Sequence, residues 1–466
     1  MPQDGSSSEK NTGRNLRKIC SCCMKLKIAN INKVKEAVIE LNGITVIAGA
    51  NGSGKSTVGK LLFSMVKAVS NAEEVKGQST TKRLIKAVDD LYKRVSLSFG
   101  RIDDDQIRDL FPMPPHRMVE KLEAISDDPE TVKSYLGQLL SAINDMELAP
   151  RVRVKFEEDI DNISIAMGNS PAADVAAQVR SFVESEFLGK ICSNGQTNAN
   201  ASLEMETPEE KLELHFNNDL VDRVEYHCND FPCDCTYIES PLYMHILDTL
   251  LNSTTYKEYQ QNKRRIYDRG MVPIHIKDLA TKLDALRMTI PNSFDADTVN
   301  ISSIIGGEFE YDKDGRKIVF REQKSGSSYS PINIASGIKT FGLIQILQQV
   351  GVINNNSFLI WDEPENHLHP KWQIAFAELL VKLSLLGVPI LISTHSPFFV
   401  QGIRYFSAKH KMEKYTNYYL AEEQEDNLSV IREVTTDLNA IFSKLAEPLN
   451  EIMNVDMVRR EAQKES

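Results

Sequence analysis

The run Gly49-Ala50-Asn51-Gly52-Ser53-Gly54-Lys55-Ser56-Thr57 limits this chain more than any other feature. It satisfies G-x-x-x-x-G-K-[ST] at every fixed position. Such a loop works only between a strand and a helix, and the flanks supply both. Ile44 to Ala48 is a short apolar run, as in a strand buried on both faces. Val58, Leu61, Leu62, Met65, Val66 and Val69 then follow helical spacing. The glycines let backbone N–H groups curl around phosphate oxygens without Cβ clashes, and the helix N-terminus adds partial positive charge. The expected ligand is therefore ATP with Mg²⁺, held by Gly49, Asn51, Gly52, Ser53, Gly54, Lys55, Ser56 and Thr57. Lys55 is expected at the β- and γ-phosphates and Ser56 at the metal. The competing reading, a chance glycine turn before a helix, does not explain why context and spacing both match. A guanine-specific Asn-Lys-x-Asp motif is lacking, since Asn32-Lys33-Val34-Lys35 has no Asp; this favours ATP over GTP.

Three later segments carry chemistry of the same kind. Ser357-Phe358-Leu359-Ile360-Trp361-Asp362-Glu363-Pro364 is an apolar strand ending in two acids. Asp362 is expected to hold Mg²⁺, and Glu363 to polarise the attacking water. Alone, this could be a strand running into a solvated acidic turn; the upstream phosphate loop argues otherwise. His395 ends a second buried strand one helix later, which places it on the same sheet edge. A role at the γ-phosphate is expected there, although lone histidines are more often structural. In Asn333-Ile334-Ala335-Ser336-Gly337-Ile338-Lys339 a serine and a glycine open a helix, which makes either an ordinary cap or an anion site.

Taken in order, these segments resemble the ABC ATPase family: Walker A, signature helix, Walker B with its glutamate, and switch histidine. The resemblance covers roughly residues 24–100 and 300–420. It implies that two copies pack head to tail, with Ser336 and Gly337 of one completing the ATP site of the other, and Lys339 is a further candidate for binding the nucleotide. The signature departs from Leu-Ser-Gly-Gly-Gln, since Ile338 replaces the second glycine and Lys339 follows. For a Q-loop glutamine, Gln78 and Gln106 are weak candidates. Asp362-Glu363-Pro364-Glu365-Asn366-His367-Leu368-His369-Pro370, with Ser393-Thr394-His395-Ser396-Pro397, is similar to the stand-alone ATPases related to OLD nucleases. It is also similar to the ATPase subunits of the PARIS and Septu anti-phage systems. Tyr237-Ile238-Glu239-Ser240-Pro241 and Tyr419-Leu420-Ala421-Glu422 add to the likeness. The resemblance implies a prokaryotic defence role, with an effector, a nuclease or toxin, made by a neighbouring gene. Ser396 to Ser466 is too short to hold a TOPRIM nuclease as well. The alternative is a RecF- or SMC-like ATPase in DNA maintenance.

The expected fold class is α/β: an ABC-type ATPase head with a mainly parallel sheet, interrupted by a mostly helical insertion. The expected divisions are a disordered arm over 1–18, an N-terminal lobe over 19–100 and the insertion over 101–290. A C-terminal lobe over 291–435 and a final helix and tail over 436–466 follow. Proline breaks at Pro112, Pro114, Pro115, Pro150 and Pro171 punctuate the insertion, and Pro448 is expected to kink or end the last helix. A hairpin is expected from Glu308 to Phe320 around Asp312-Lys313-Asp314-Gly315.

Composition narrows the partners. With 54 basic against 65 acidic residues the net charge is −11, which does not draw the chain onto DNA or anionic lipid. DNA is therefore a disfavoured partner. Lys263-Arg264-Arg265 and Arg151/Arg153/Lys155 are the local exceptions, and such runs are mostly solvated faces. The polar first residues and the lack of a long apolar run point to a cytoplasmic protein without a membrane span. His227-Cys228 with Cys233 and Cys235 could supply zinc ligands at a spacing that is not a standard finger; a reduced cysteine-rich loop is the plainer reading. Cys20, Cys22 and Cys23 are weaker still. The acid groups Asp103-Asp104-Asp105, Asp159/Asp161 and Asp295/Asp297 read as solvated turns.

Overall fold

The computed structural model describes residues 24–464 apart from 78–79, 99–114, 126–128, 145–149, 168–170, 189, 194–200, 208–210, 218–219, 228–233, 257, 259–269 and 289–299. The expected arm over 1–18, Gln78, Gln106, Cys20, Cys22, Cys23, Cys228, Cys233, Asp103–Asp105, Asp295, Asp297 and Lys263–Arg265 lie outside the described residues. So do the side chains of Arg151, Arg153 and Lys155. The chain forms two compact units, one from residues up to Ser70 together with Val179 onward, the other Asn71–Gln178.

The first unit is built on an eleven-stranded sheet. Its strands are β1 (Met24–Ile31), β2 (Val34–Leu41), β3 (Ile44–Gly49), β4 (Ala201–Glu206), β5 (Lys211–Asn217), β6 (Leu220–His227) and β7 (Asp234–Ile238). The chain returns to it as β11 (Ser357–Asp362), β12 (Ile390–Thr394), β13 (Thr416–Glu423) and β14 (Ser429–Glu433). The order is β6-β5-β4-β1-β2-β14-β13-β3-β12-β11-β7. From β13 to β7 every neighbour is parallel, while the wing from β6 to β2 is antiparallel. A separate small sheet holds β8 (Gly307–Asp312), β9 (Lys317–Glu322) and β10 (Ser328–Tyr329). Its hairpin forms where the sequence expects it, but the left-handed residue of the turn is Arg316 (φ 50°) rather than Gly315.

Residues two apart on a strand share a face, and the core follows that rule. Ile44, Val46 and Ala48 of β3 join Leu359 and Trp361 of β11 in one large core. Over that core lie α10 (Ser336–Gln349), α11 (Pro370–Leu385) and α12 (Pro397–Lys409). Ile360 and Tyr237 point to the opposite face, against α1 (Lys55–Gly77). A Cβ at Gly59 of α1 would stand 2.7 Å from the Tyr237 ring and 3.0 Å from Ile360, so only glycine lets the helix approach this closely.

The second unit is helical: most of α1's last turns, then α2 (Thr80–Ser98), α3 (Pro115–Ala124), α4 (Pro129–Asn144), α5 (Pro150–Met167) and the first part of α6 (Pro171–Phe187). Pro115, Pro129, Pro150 and Pro171 open helices, where a missing N–H costs nothing. Leu84, Leu91, Met118, Leu122, Phe156 and Ile163 are among its core. Asp159 departs from the solvated-turn expectation. It is buried, and Arg94 grips both its oxygens, one at 2.8 Å.

Within the mostly helical stretch 101–290, β4–β7 pair into the main sheet. Leu203 and Met205, and Leu212, Leu214 and Phe216, are buried alternate residues of β4 and β5, a period-two signal visible in the sequence. The C-terminal helix α13 (Asn439–Lys464) runs through Pro448. Short helices complete the first unit: α7 (Leu247–Asn252), α8 (Ile274–Asp284) and α9 (Ile301–Ile305).

Candidate functional site

The parallel register brings the sequence motifs to one sheet edge. Asp362 of β11 pairs with Ser393 of β12, and Thr394 pairs with Ala48 of β3. The acidic pair, the histidine and the glycine loop therefore leave three adjacent strands at the same end, where ligands of open parallel sheets collect. β7 adds a fourth strand: its Ile238 pairs with Trp361, which carries Glu239 to the row of Asp362.

The loop has the backbone expected of a phosphate cradle. Gly52 (φ 78°) and Gly54 (φ 83°) lie in the left-handed region, where a side chain is strained. At Gly49 a Cβ would meet the Ala421 carbonyl at 2.7 Å. Ser53 is buried and donates from Oγ to the Ala50 carbonyl at 2.8 Å, tightening the turn. Asn51 is exposed, Ser56 half-buried and Thr57 buried at the start of α1. Lys55 is 4% exposed, and its ammonium donates to the Gly49 carbonyl at 3.0 Å and the Ala50 carbonyl at 2.7 Å. Burial draws its pKa down, against the pull of Glu363, Asp362 and Glu365. A buried cation folded over a loop of left-handed glycines, at the N-terminus of a long helix, fits an anionic phosphate chain.

The acids are held firmly. Asp362 is buried; Tyr237 donates to its Oδ2 at 3.0 Å, and the Ser393 hydroxyl donates to Oδ1. Burial, then the neighbouring Asp362 charge, pushes the Tyr237 phenol well above its usual range, so it stays a donor. Glu363 has φ 49°, a left-handed conformation that costs a non-glycine residue on the order of 1–3 kcal/mol and clusters at working sites. Its amide donates to the Ser393 carbonyl at 2.9 Å, and Asn366 donates to its Oε2, also at 2.9 Å. His395 Nδ1 lies 3.4 Å from Glu363 Oε1 and 3.2 Å from Glu365 Oε1. The carboxylate of Asp362 and the hydroxyl of half-buried Ser56 are hard oxygens of the kind that suits Mg²⁺.

The signature residues lie against the loop that follows Glu363. α10 opens at Ser336 as the sequence expects, and Ser336 Oγ reaches the His367 carbonyl at 3.5 Å. Gly337 packs under Trp372, where a Cβ would stand at 3.1 Å. Lys339 is 2% exposed and turns inward, donating to the Pro331 carbonyl at 3.2 Å and meeting His245. The residues of α10 from Lys339 to Leu347 are all buried.

Motif reading missed Tyr237 and Ser393 as partners of Asp362, and Glu365 as a partner of His395. Tyr237 stood out only as part of a family likeness. Its place beside β11 depends on a pairing across 125 residues. Cys235, one of the suggested zinc ligands, is fully buried inside β7, and burial pushes its thiol up.

Residues 235–401 match the family described as "AAA domain, putative AbiEii toxin, Type IV TA system", and residues 25–213 match one described as "AAA domain". No curated protein matches the sequence. Among solved structures, the SMC head domain from Thermotoga maritima is 10% identical, with 88% of this chain and 98% of that one covered and a TM-score of 0.33. An SMC head bound to the C-terminal winged-helix domain of ScpA is 10% identical, with 89% and 98% covered and a TM-score of 0.38. An ATP-binding cassette of an ABC transporter in its ADP conformation is 9% identical, with 90% and 98% covered and a TM-score of 0.30. Both matched descriptions are of AAA domains, and between them they span the glycine loop and the Asp362–His395 segment; the chain is an ATPase.

Proposed function

We propose that the site binds Mg²⁺ and ATP and is completed by a second copy of the chain packed head to tail. The observation that carries this reading is the convergence of Lys55, Asp362, Glu363 and His395 at one edge of four parallel strands. Lys55 and the loop from Gly49 to Thr57 hold the phosphates. Ser56 and Asp362 hold Mg²⁺, which when bound neutralises charge on the phosphates. Glu363 orients and polarises the attacking water. His395, beside it, faces the terminal phosphate. Ser336 and Gly337, on the opening turn of α10, contact the nucleotide of the second copy. Binding orders the pair and hydrolysis releases it.

The output is control of a separate effector, a nuclease or toxin, in a prokaryotic anti-phage defence system. The likeness of the Asp362–Pro370 segment to stand-alone defence ATPases supports this, as does the toxin named in the description of the family that residues 235–401 match. Among the described residues, no helix is long and apolar enough to cross a membrane.

The test is to purify the chain with its neighbouring genes, as wild type and as Glu363→Gln, and to weigh the species with and without Mg-ATP. The variant is expected to lose about a hundredfold or more in turnover while holding ATP in a larger assembly that contains a second gene product. Monomers alone under both conditions would remove the shared site and the effector together. A dimer that lacks any second protein would keep the site and remove the effector.

A further inference from the structure

A third acid lies beside Glu363 and His395. Glu365 is 5% exposed and lies in the loop that follows β11. Its Oε1 accepts two hydrogen bonds of 2.7 Å, one from the Thr394 hydroxyl and one from the backbone N–H of His395. The Thr394 hydroxyl in turn accepts from the Ser396 N–H at 3.1 Å. One carboxylate oxygen thus organises the whole turn that carries the histidine, and the same oxygen is 3.2 Å from His395 Nδ1.

The other oxygen, Oε2, is buried and has no hydrogen-bond partner among the described residues. A buried polar atom without a partner is unfavourable, and native proteins keep few of them. A residue serving only to cap a turn would gain from a single acceptor, as a serine hydroxyl supplies. Ser396 already caps α12 this way, accepting from the Phe399 N–H at 3.3 Å. Burial also pushes the Glu365 carboxyl up.

The loop itself is held in an unusual shape. Glu363 (φ 49°) and His367 (φ 63°) are both left-handed. Turn bonds from the Asn366 N–H to the Glu363 carbonyl at 3.0 Å and from the Leu368 N–H to the Glu365 carbonyl at 2.9 Å keep that shape. Gln373 ties the loop to the Ser396 turn at a second point. It donates to the Leu368 carbonyl at 2.9 Å and accepts from Ser396 Oγ at 2.7 Å. Glu365 is the strut that reaches His395.

The geometry points to Glu365 as the positioning residue for His395, holding its backbone, with the ring 3.2 Å away, beside Glu363 for hydrolysis. This rests on the reading that His395 faces the terminal phosphate. In it, Glu365 touches no nucleotide; it acts through the histidine.

The experiment compares steady-state ATPase of the full chain as wild type, Glu365→Ala, Glu365→Gln, His395→Ala and the Glu365→Ala/His395→Ala double variant. Loss of a positioning contact is expected to lower kcat about ten- to a hundredfold. KM for ATP should move less than about twofold, because ground-state binding is left alone. Glu365→Gln keeps the Oε1 acceptor and should recover most of the rate. The double variant should be no slower than His395→Ala. If Glu365→Ala does not fold, Glu365→Met keeps the volume without the acceptor and carries the same comparison. Rate losses that multiply in the double variant would overturn the proposal and leave the role of His395 standing. A His395→Ala enzyme with wild-type kcat would overturn the role of His395, and the proposal with it.

Discussion

The hydroxyl of Tyr237 donates to Oδ2 of Asp362 at 3.0 Å, joining the end of β7 to the end of β11 inside the protein. Ser393 of β12 satisfies the other oxygen. The aspartate is therefore aimed from both sides by its neighbouring strands. Tyr237→Phe removes one donor and leaves a buried carboxylate oxygen short of a partner. The expected loss of stability is about 1–3 kcal/mol, read from urea unfolding with an unchanged slope. The Mg²⁺ concentration for half-maximal ATPase should also rise. Wild-type values of both would show that the phenol only fills space.

His275 makes stability depend on pH. Its ring is fully buried, with Nδ1 2.6 Å from Glu186 Oε2 and Nε2 3.0 Å from Glu239 Oε2. The backbone N–H of His275 also donates to Glu186 Oε1 at 2.8 Å. Burial draws its pKa down, but hydrogen bonds to the two carboxylates outweigh that and leave it raised above 6.5. The folded state thus binds the proton more tightly than the unfolded chain. The stabilisation is fully present below the ordinary histidine range and is lost as pH rises through the raised value. The urea midpoint should fall with rising pH across that window, and His275→Gln should flatten that part of the curve. An unchanged slope in the variant would place the dependence elsewhere.

Four charges form an alternating square between α1, β7 and α8. Lys67 reaches Asp234 at 2.7 Å and Asp278 at 2.9 Å; Lys282 reaches the same two acids at 2.8 and 2.9 Å. Burial opposes the charge on Lys67, yet the two aspartates raise its pKa overall. Asp278→Ala leaves two largely buried ammonium groups facing one carboxylate. The expected cost is about 3–5 kcal/mol, as for breaking a buried pair, and Lys67→Met in the same chain should cost less than additively. A loss below about 1 kcal/mol would mean that the square behaves as a surface pair.

Much of the site is legible because phosphate chemistry demands fixed residue types at short spacings. The loop from Gly49 to Thr57, the Asp362-Glu363 pair and His395 each sit in a local strand-to-turn context that the apolar pattern reveals. Helix-opening position alone does not say which way Lys339 faces; the packing of α10 decided that. Pro448 does not end α13, which continues to Lys464. The strands β4 and β5 were within reach, since their apolar residues alternate, but the neighbouring helical stretch masked the change of period.

The amino-acid sequence by itself determined the phosphate loop, the acidic strand end and the α/β alternation around them, because each depends on residues close together in the chain. Tertiary structure alone decided that β7 would lie beside β11, and so that Tyr237 would reach Asp362. It also decided that Glu365 would meet His395 and that Lys339 would turn inward. Parallel pairing is made by backbone bonds that are indifferent to side-chain identity. Which strands become neighbours is therefore set by how their two faces pack against helices, and no short stretch of sequence records that.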